Sequence, residues 1–159
     1  MRTIYLLLFL VFPFFLYAQA DMPKPNAEIV KYVNSVIGKK VDRGECWDLA
    51  NEALTLINGK WDHEFKYGIL LNPKKDSIYP GDIIQFKNIV LEYDLPDGTG
   101  KAKESMAQHT AIVYKVFSKG NFEIAHQNTS FSGRKVGLSK LNLKTIKKGK
   151  IYIYRPTIN

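Results

Sequence analysis

Cysteine is nearly missing from this sequence: among 159 residues there is one, Cys46. A single thiol excludes an intramolecular disulfide framework and a cysteine-rich zinc site. Proline and glycine, at 7 and 11 residues, are too sparse for a collagen-like or low-complexity chain. No internal repeat is visible. Acids are outnumbered, 15 against 23 bases, which gives a formal charge of +8 and a pI near 9.5. That balance favours anionic partners such as nucleic acid, an anionic membrane or an anionic cell wall, without choosing among them. Nucleic acid is not the expectation, because no groove-reading helix or aromatic-basic sheet motif appears. What is present is 45% apolar and 13% aromatic residues, too much for a disordered chain and enough to fill one compact core.

The apolar residues are not evenly spread. Ile4 to Tyr17 is a run of fourteen, broken only by Pro13 and preceded by Arg2. It falls short of the roughly twenty residues that span a bilayer. Ala18-Gln19-Ala20 then supplies an A-x-A site, so residues 1–20 read as a signal peptide with cleavage before Asp21. An uncleaved amino-terminal anchor is the alternative. The expectation is an exported protein, periplasmic or extracellular, with no stable membrane anchor after cleavage and a monomer by default. In an oxidising compartment an unpaired cysteine is either a reactive thiol or a buried, inert small hydrophobe.

Residues 21–26 read as a short linker and 27–159 as one domain. Asn26 is placed to cap a helix with Ile29, Val30, Val33, Val36 and Ile37 on one face, ending at Gly38. Asp42 and Glu45, three apart, resemble a capping box opening a second helix that stops at Asn58-Gly59. Residues 61–80 look irregular. Beyond Asp82 the period changes: strands are expected over 83–93, 108–117, 122–127, more weakly over 136–143, and over 151–154. Residues 95–105 read as a polar loop, and the lysine-rich 144–150 stretch as a solvated turn. Helices first and an antiparallel sheet of five or six strands second make an α+β fold.

Chemistry concentrates at three places. Cys46 is expected in the first turn of the second helix, where unpaired N–H groups and the helix dipole favour an anion and lower a thiol's pKa. The same N–H groups suit an oxyanion. Of three histidines, His63 sits between Asp62 and Glu64 and reads as a surface residue. His109 and His126 stand at the open ends of neighbouring antiparallel strands, so the hairpin brings them together. A thiol with two adjacent histidines meets the logic of nucleophile, base and orienter. Two alternatives stay open: a zinc site of Cys46, His109 and His126, and two structural strand-end histidines.

Four stretches in order, Glu45-Cys46-Trp47-Asp48-Leu49, Pro80-Gly81-Asp82-Ile83-Ile84-Gln85-Phe86, Gln108-His109-Thr110-Ala111-Ile112-Val113 and Ala125-His126-Gln127-Asn128, together resemble the CHAP family. These are cysteine- and histidine-dependent amidohydrolases/peptidases, related to NlpC-like cysteine peptidases. The resemblance implies a papain-like fold with Cys46 as nucleophile and His109 as general base. His126 stands where CHAP members usually carry glutamate, while NlpC-like relatives use histidine in that third role; Asn128 matches a polar residue that often assists. Trp47 becomes a candidate substrate wall, and Asp82 a structural residue at a strand entry. The implied activity is cleavage of amide bonds in peptidoglycan or its peptide fragments, with no cofactor and no metal. A thiol-dependent acyltransferase, an antibacterial toxin, and a non-catalytic binding module on the same scaffold are the alternatives.

Overall fold

The alternation that begins at Ile83 builds one continuous sheet. In a computed structural model, described over residues 22–95 and 98–159, the chain forms two helices and six strands. Residues 1–20, read from the sequence as a signal peptide, fall outside the described residues. Helix α1 spans Lys24–Val36 and α2 Asp48–Leu56. The strands are β1 Ile69–Leu71, β2 Ile83–Asp94, β3 Lys101–Ser118, β4 Asn121–His126, β5 Gly137–Asn142 and β6 Ile146–Arg155. Their order across the sheet is β1-β6-β2-β3-β4-β5, with every neighbouring pair antiparallel. This is the α+β, papain-like arrangement expected from the sequence.

The two faces of the sheet follow from the period-two alternation. Ile83, Ile112 and Ala125 face the helices and pack on Ile29, Val33, Leu49, Ala53 and Leu54. Ile84, Phe86, Val113, Phe122 and Ile124 point the other way and form a second cluster. The helical stripe therefore explains one core, and the strands alone supply the other.

Three stretches differ from the sequence reading. Helix α1 starts at Lys24, inside the segment taken as linker, with Pro25 near its start, where a missing N–H costs nothing. Asn26 consequently caps nothing. It is buried, and its amide donates to the Pro80 carbonyl (2.9 Å) and to Asp82 Oδ1 (2.8 Å). The second half of the expected 95–105 loop is strand: β3 begins at Lys101, opposite Asp94. Ala102, Glu104 and Met106 alternate with exposed neighbours, and Lys101 and Lys103 both pair with Glu92 across the ladder. Strand β6 likewise starts at Ile146 and takes in most of the lysine-rich stretch, while β1 lies within residues read as irregular. A bulge lets β6 pass β2 at Asn88, where Gly149 adopts φ +89; any Cβ there would collide with the Asn88 carbonyl.

The Pro80-Gly81-Asp82 stretch is structural. Buried Asp82 accepts two hydrogen bonds from Arg155 (3.0 and 2.9 Å) and one from the Tyr79 N–H (2.8 Å), besides the one from Asn26. Gly81, at φ +86, lets the Asn26 backbone approach closely. This junction ties α1, the entry of β2 and the end of β6 together, and so fixes the sheet beneath the site.

Candidate active site

Cys46 lies one turn earlier than expected, in the bend that precedes α2, whose first helical residue is Asp48. No side chain caps α2, so Asp42 and Glu45 do not form a capping box. Instead the bend is organised by Asp48. Its fully buried carboxylate accepts from the Glu45 N–H (2.9 Å) and from Arg43 Nη2 (2.6 Å). From the sheet side, buried Gln127 donates to the carbonyls of Val41 (3.0 Å) and Glu45 (2.8 Å) and accepts from the Val41 N–H (3.2 Å). One glutamine thus replaces a missing strand, and stitches the cysteine loop to the end of β4.

Strand β4 ends at His126, so the β3 backbone at Thr110 has no ladder partner on that side. The Cys46 thiol lies within hydrogen-bonding reach of the Thr110 backbone. The nucleophile candidate therefore sits one residue along β3 from His109. Burial pushes the Cys46 thiol up from its ordinary value, reinforced by the Glu45 carboxylate, and outweighs the hydrogen bonds from the Thr110, Trp47 and Cys46 backbones that pull it down. The resting cysteine is a protonated thiol, where the sequence suggested a thiolate. The reason is its position: it lies before the helix rather than in its first turn, and it is half covered.

The two histidines meet as the hairpin reading predicted. His109 Nε2 lies 2.8 Å from His126 Nδ1, with ring centres 5.1 Å apart and planes at 76°. The ladder pairs Ile112 with Ala125, so the two histidines are diagonal neighbours on one face. His126 Nε2 in turn lies 2.8 Å from Ser139 Oγ on β5. Ser139 was not singled out in the sequence; only the β4–β5 pairing brings it there. Both imidazoles are buried, 6% and 5% exposed, and that desolvation lowers the pKa of His109 to about 4 and of His126 to about 3. Both are neutral at pH 7, so each ring carries one N–H.

The other candidates are placed as follows. Asn128, at φ +61, turns its amide to Glu45 Oε2 (2.9 Å). Trp47 packs 6.2 Å from Trp61 under the Arg43 guanidinium, which stands 5.1 Å above the Trp47 ring. Trp61 continues to Tyr67, 5.8 Å away, and carries His63 on its other side at 4.6 Å. Tyr67 is fully buried beside Thr110 and Gln85, and burial pushes its hydroxyl up to about 12, so it stays neutral. Among the described residues no three His, Cys, Asp or Glu side chains converge as metal ligands. The histidines face each other rather than a common centre.

Residues 24–158 match the model of the AIM3/BBC1 cysteine proteinase-fold domain. The chain belongs to that family. This is a cysteine-proteinase fold, a broader assignment than the CHAP family that the motifs resemble. No curated protein matches the chain. Among solved structures, the fold is similar to that of Ly7917 (TM-score 0.52, 14% identity), covering 82% of this chain and 62% of that one. A second Ly7917 structure, described as holding the hydrolysing product of MDP, gives the same TM-score at 15% identity and the same coverage. The family member described here thus spans about three-fifths of the solved structures it resembles.

Proposed function

We propose that this chain is an exported cysteine amidohydrolase or peptidase, in which Cys46 attacks an amide carbonyl, His109 transfers protons and His126 orients His109. The carrying observation is the 2.8 Å contact between His109 Nε2 and His126 Nδ1, one residue from the strand position beside the thiol. With Nε2 engaged, Nδ1 is the nitrogen left for the thiol. For Nδ1 to act as a base it must be unprotonated, so Nε2 carries the hydrogen and donates to His126 Nδ1. His126 must then carry its own hydrogen on Nε2 and donate to Ser139 Oγ. One chain of hydrogen bonds thereby sets both tautomers. Because thiol and imidazole are both neutral at rest, the proton leaves Sγ for His109 as the sulfur–carbon bond forms. His109 then returns it to the departing amine, and water hydrolyses the thioester.

Peptidoglycan peptides are the proposed substrates. The ordered CHAP-like motifs, the apolar leader followed by Ala18-Gln19-Ala20, and the fold shared with a protein crystallised with an MDP product support this reading. The net charge of +8 suits an anionic wall. Asn128 remains an assisting candidate through Glu45, and Trp47 a wall beside the thiol. Mass spectrometry of muropeptides incubated with wild type and Cys46→Ala is the test. New fragments with wild type alone are expected; fragments of equal yield from Cys46→Ala would overturn it. A binding module that has kept the scaffold is the second reading, favoured by the half-covered, protonated thiol. It predicts muropeptide binding with no turnover by either protein.

A further inference from the structure

Behind the two histidines, on the face of the sheet turned away from the helices, lies a cleft of about 470 Å³ whose floor includes His109, His126 and Ser139. Its walls combine large apolar side chains with Glu104, Ser130, Lys140, Asn142 and Thr145. Phe86 comes from β2 under His109, their ring centres 6.0 Å apart. Leu91, Tyr93 and Met106 come from the β2–β3 ribbon, which continues past the end of β4. Phe131 closes the far side, its ring centre 5.4 Å from that of His126. Tyr93 is 43% exposed and Phe131 57%, so two large rings are left uncovered at the mouth. A larger hollow of about 700 Å³, between α1 and the end of α2, holds no thiol or imidazole.

The direction of the chemistry assigns the cleft a role. Cys46 lies in the bend just before α2, the helix packed on the opposite face of the sheet, beside the Thr110 backbone. When the tetrahedral intermediate collapses, the carbon–nitrogen bond breaks and the proton that Cys46 gave up passes from His109 to the nitrogen. The acyl part stays bonded to sulfur. The nitrogen must therefore lie against His109, and whatever it carries extends past the imidazole, away from the thiol.

We infer that this cleft receives the leaving-amine half of the substrate and selects amines bearing a bulky apolar side chain, aliphatic or aromatic. The inference rests on the thiol-hydrolase reading, but not on peptidoglycan as the source of the amide. Glu104 and Lys140 are the ionisable side chains at the rim, and the floor offers only neutral hydrogen-bonding groups. A charged side chain seated on that floor would be desolvated among neutral groups.

The test uses product-like amines on full-length Cys46→Ala protein, following imidazole NMR signals during titration with L-phenylalaninamide, L-leucinamide and L-alaninamide. The two bulky amides are expected to shift His109 and His126 signals and to bind about tenfold or more tightly than alaninamide. Phe131→Ala, at an exposed position, is expected to remove most of that preference without changing the melting temperature. Met106→Lys should do the same from the opposite wall. Equal binding of all three amides, or binding that moves neither imidazole, overturns the inference. Wild-type hydrolysis of amides that is indifferent to the leaving group overturns it alone. Binding of the bulky amides with no hydrolysis of any amide overturns the leaving-group role together with the thiol-hydrolase reading.

Discussion

The two halves of the site are held in place by different means. The histidine half is set by strand register: once β3 and β4 pair, His109 and His126 are neighbours, and β5 adds Ser139. The cysteine half has no ladder. Its bend depends on two buried polar side chains, Asp48 and Gln127, which between them bond Arg43, Val41 and Glu45. Backbone pairing distributes its support over many bonds. A bend tied by two side chains concentrates it, and each loss leaves buried partners unsatisfied.

The largest effect should come from the histidine half. His109→Ala is expected to lower amide hydrolysis by about 10²–10⁴-fold. His126→Ala should lose less, because it removes the proposed orienter and not the proposed base, and His126→Asn should recover part of that loss by accepting from His109 Nε2. Rates of thioester formation in single turnover separate the two roles. If His126→Ala proved as damaging as His109→Ala while its melting temperature held, the register-built half would have to be redrawn with His126 as base.

Gln127→Ala attacks the other half. It strips the Val41 N–H and the carbonyls of Val41 and Glu45 of a buried partner, so a loss on the order of 2–4 kcal/mol in denaturant unfolding is expected. Activity should fall with it, since the loop that carries Cys46 loses its tie to the sheet. Asp48→Asn should be milder than Asp48→Ala, because the amide oxygen still accepts from the Glu45 N–H. A Gln127→Ala protein with unchanged stability would show that the bend is held by its own turn.

The two halves also answer differently to pH. Buried neutral histidines bind their protons far less readily than in the unfolded chain, where the ordinary value is about 6.5. As pH falls below that value, the unfolded state takes up protons first. Stability is therefore whole above pH 6.5 and is lost progressively towards the folded values of about 4 and 3. The loss should be on the order of a few kcal/mol, and His126→Asn should flatten the slope of unfolding free energy against pH. The thiol behaves in the opposite sense, its raised pKa moving thiolate formation to more alkaline pH. Alkylation by iodoacetamide should therefore keep rising past the ordinary thiol range near ~8.5, with no plateau at neutrality. A thiolate already formed at pH 7 would mean a resting ion pair with His109.

This contrast also marks what was legible in the sequence. The neighbourhood of His109 and His126 followed from a hairpin centred near Ser118–Asn121, because strand periodicity and a Gly-containing turn are local signals. The α+β layering, the stop at Asn58-Gly59 and the structural role of Asp82 were readable on the same grounds. The charged ribbon of 101–106 was not, since its half-buried positions are Ala102, Glu104 and Met106 and its polar composition hides the period. Nor was Gln127 legible as a tie, because the 86 residues that separate it from Val41 leave no trace in either segment. Cys46 was misplaced by one turn for a related reason. An acid three residues before Glu45 looks like a cap, yet the true organiser is Asp48, three residues after Glu45, acting across the bend.

Asn128 gives the smallest expected effect and the sharpest limit on the site. The resemblance to CHAP sequences makes it a candidate assistant to His109, whereas its amide donates to Glu45 Oε2 at an exposed position, and Arg134 shares that carboxylate at 3.5 Å. An exposed contact of this kind contributes about 0–1 kcal/mol. Asn128 also holds a left-handed backbone, φ +61, which asparagine tolerates better than alanine does. Asn128→Gly should therefore leave stability within about 0.5 kcal/mol and hydrolysis within about twofold, while Asn128→Ala costs slightly more stability through the backbone alone. The pair of variants separates the two contributions. A tenfold drop in kcat for Asn128→Gly, with kcat/KM falling equally, would show that its amide reaches the reacting groups and that the orienter is shared between His126 and Asn128.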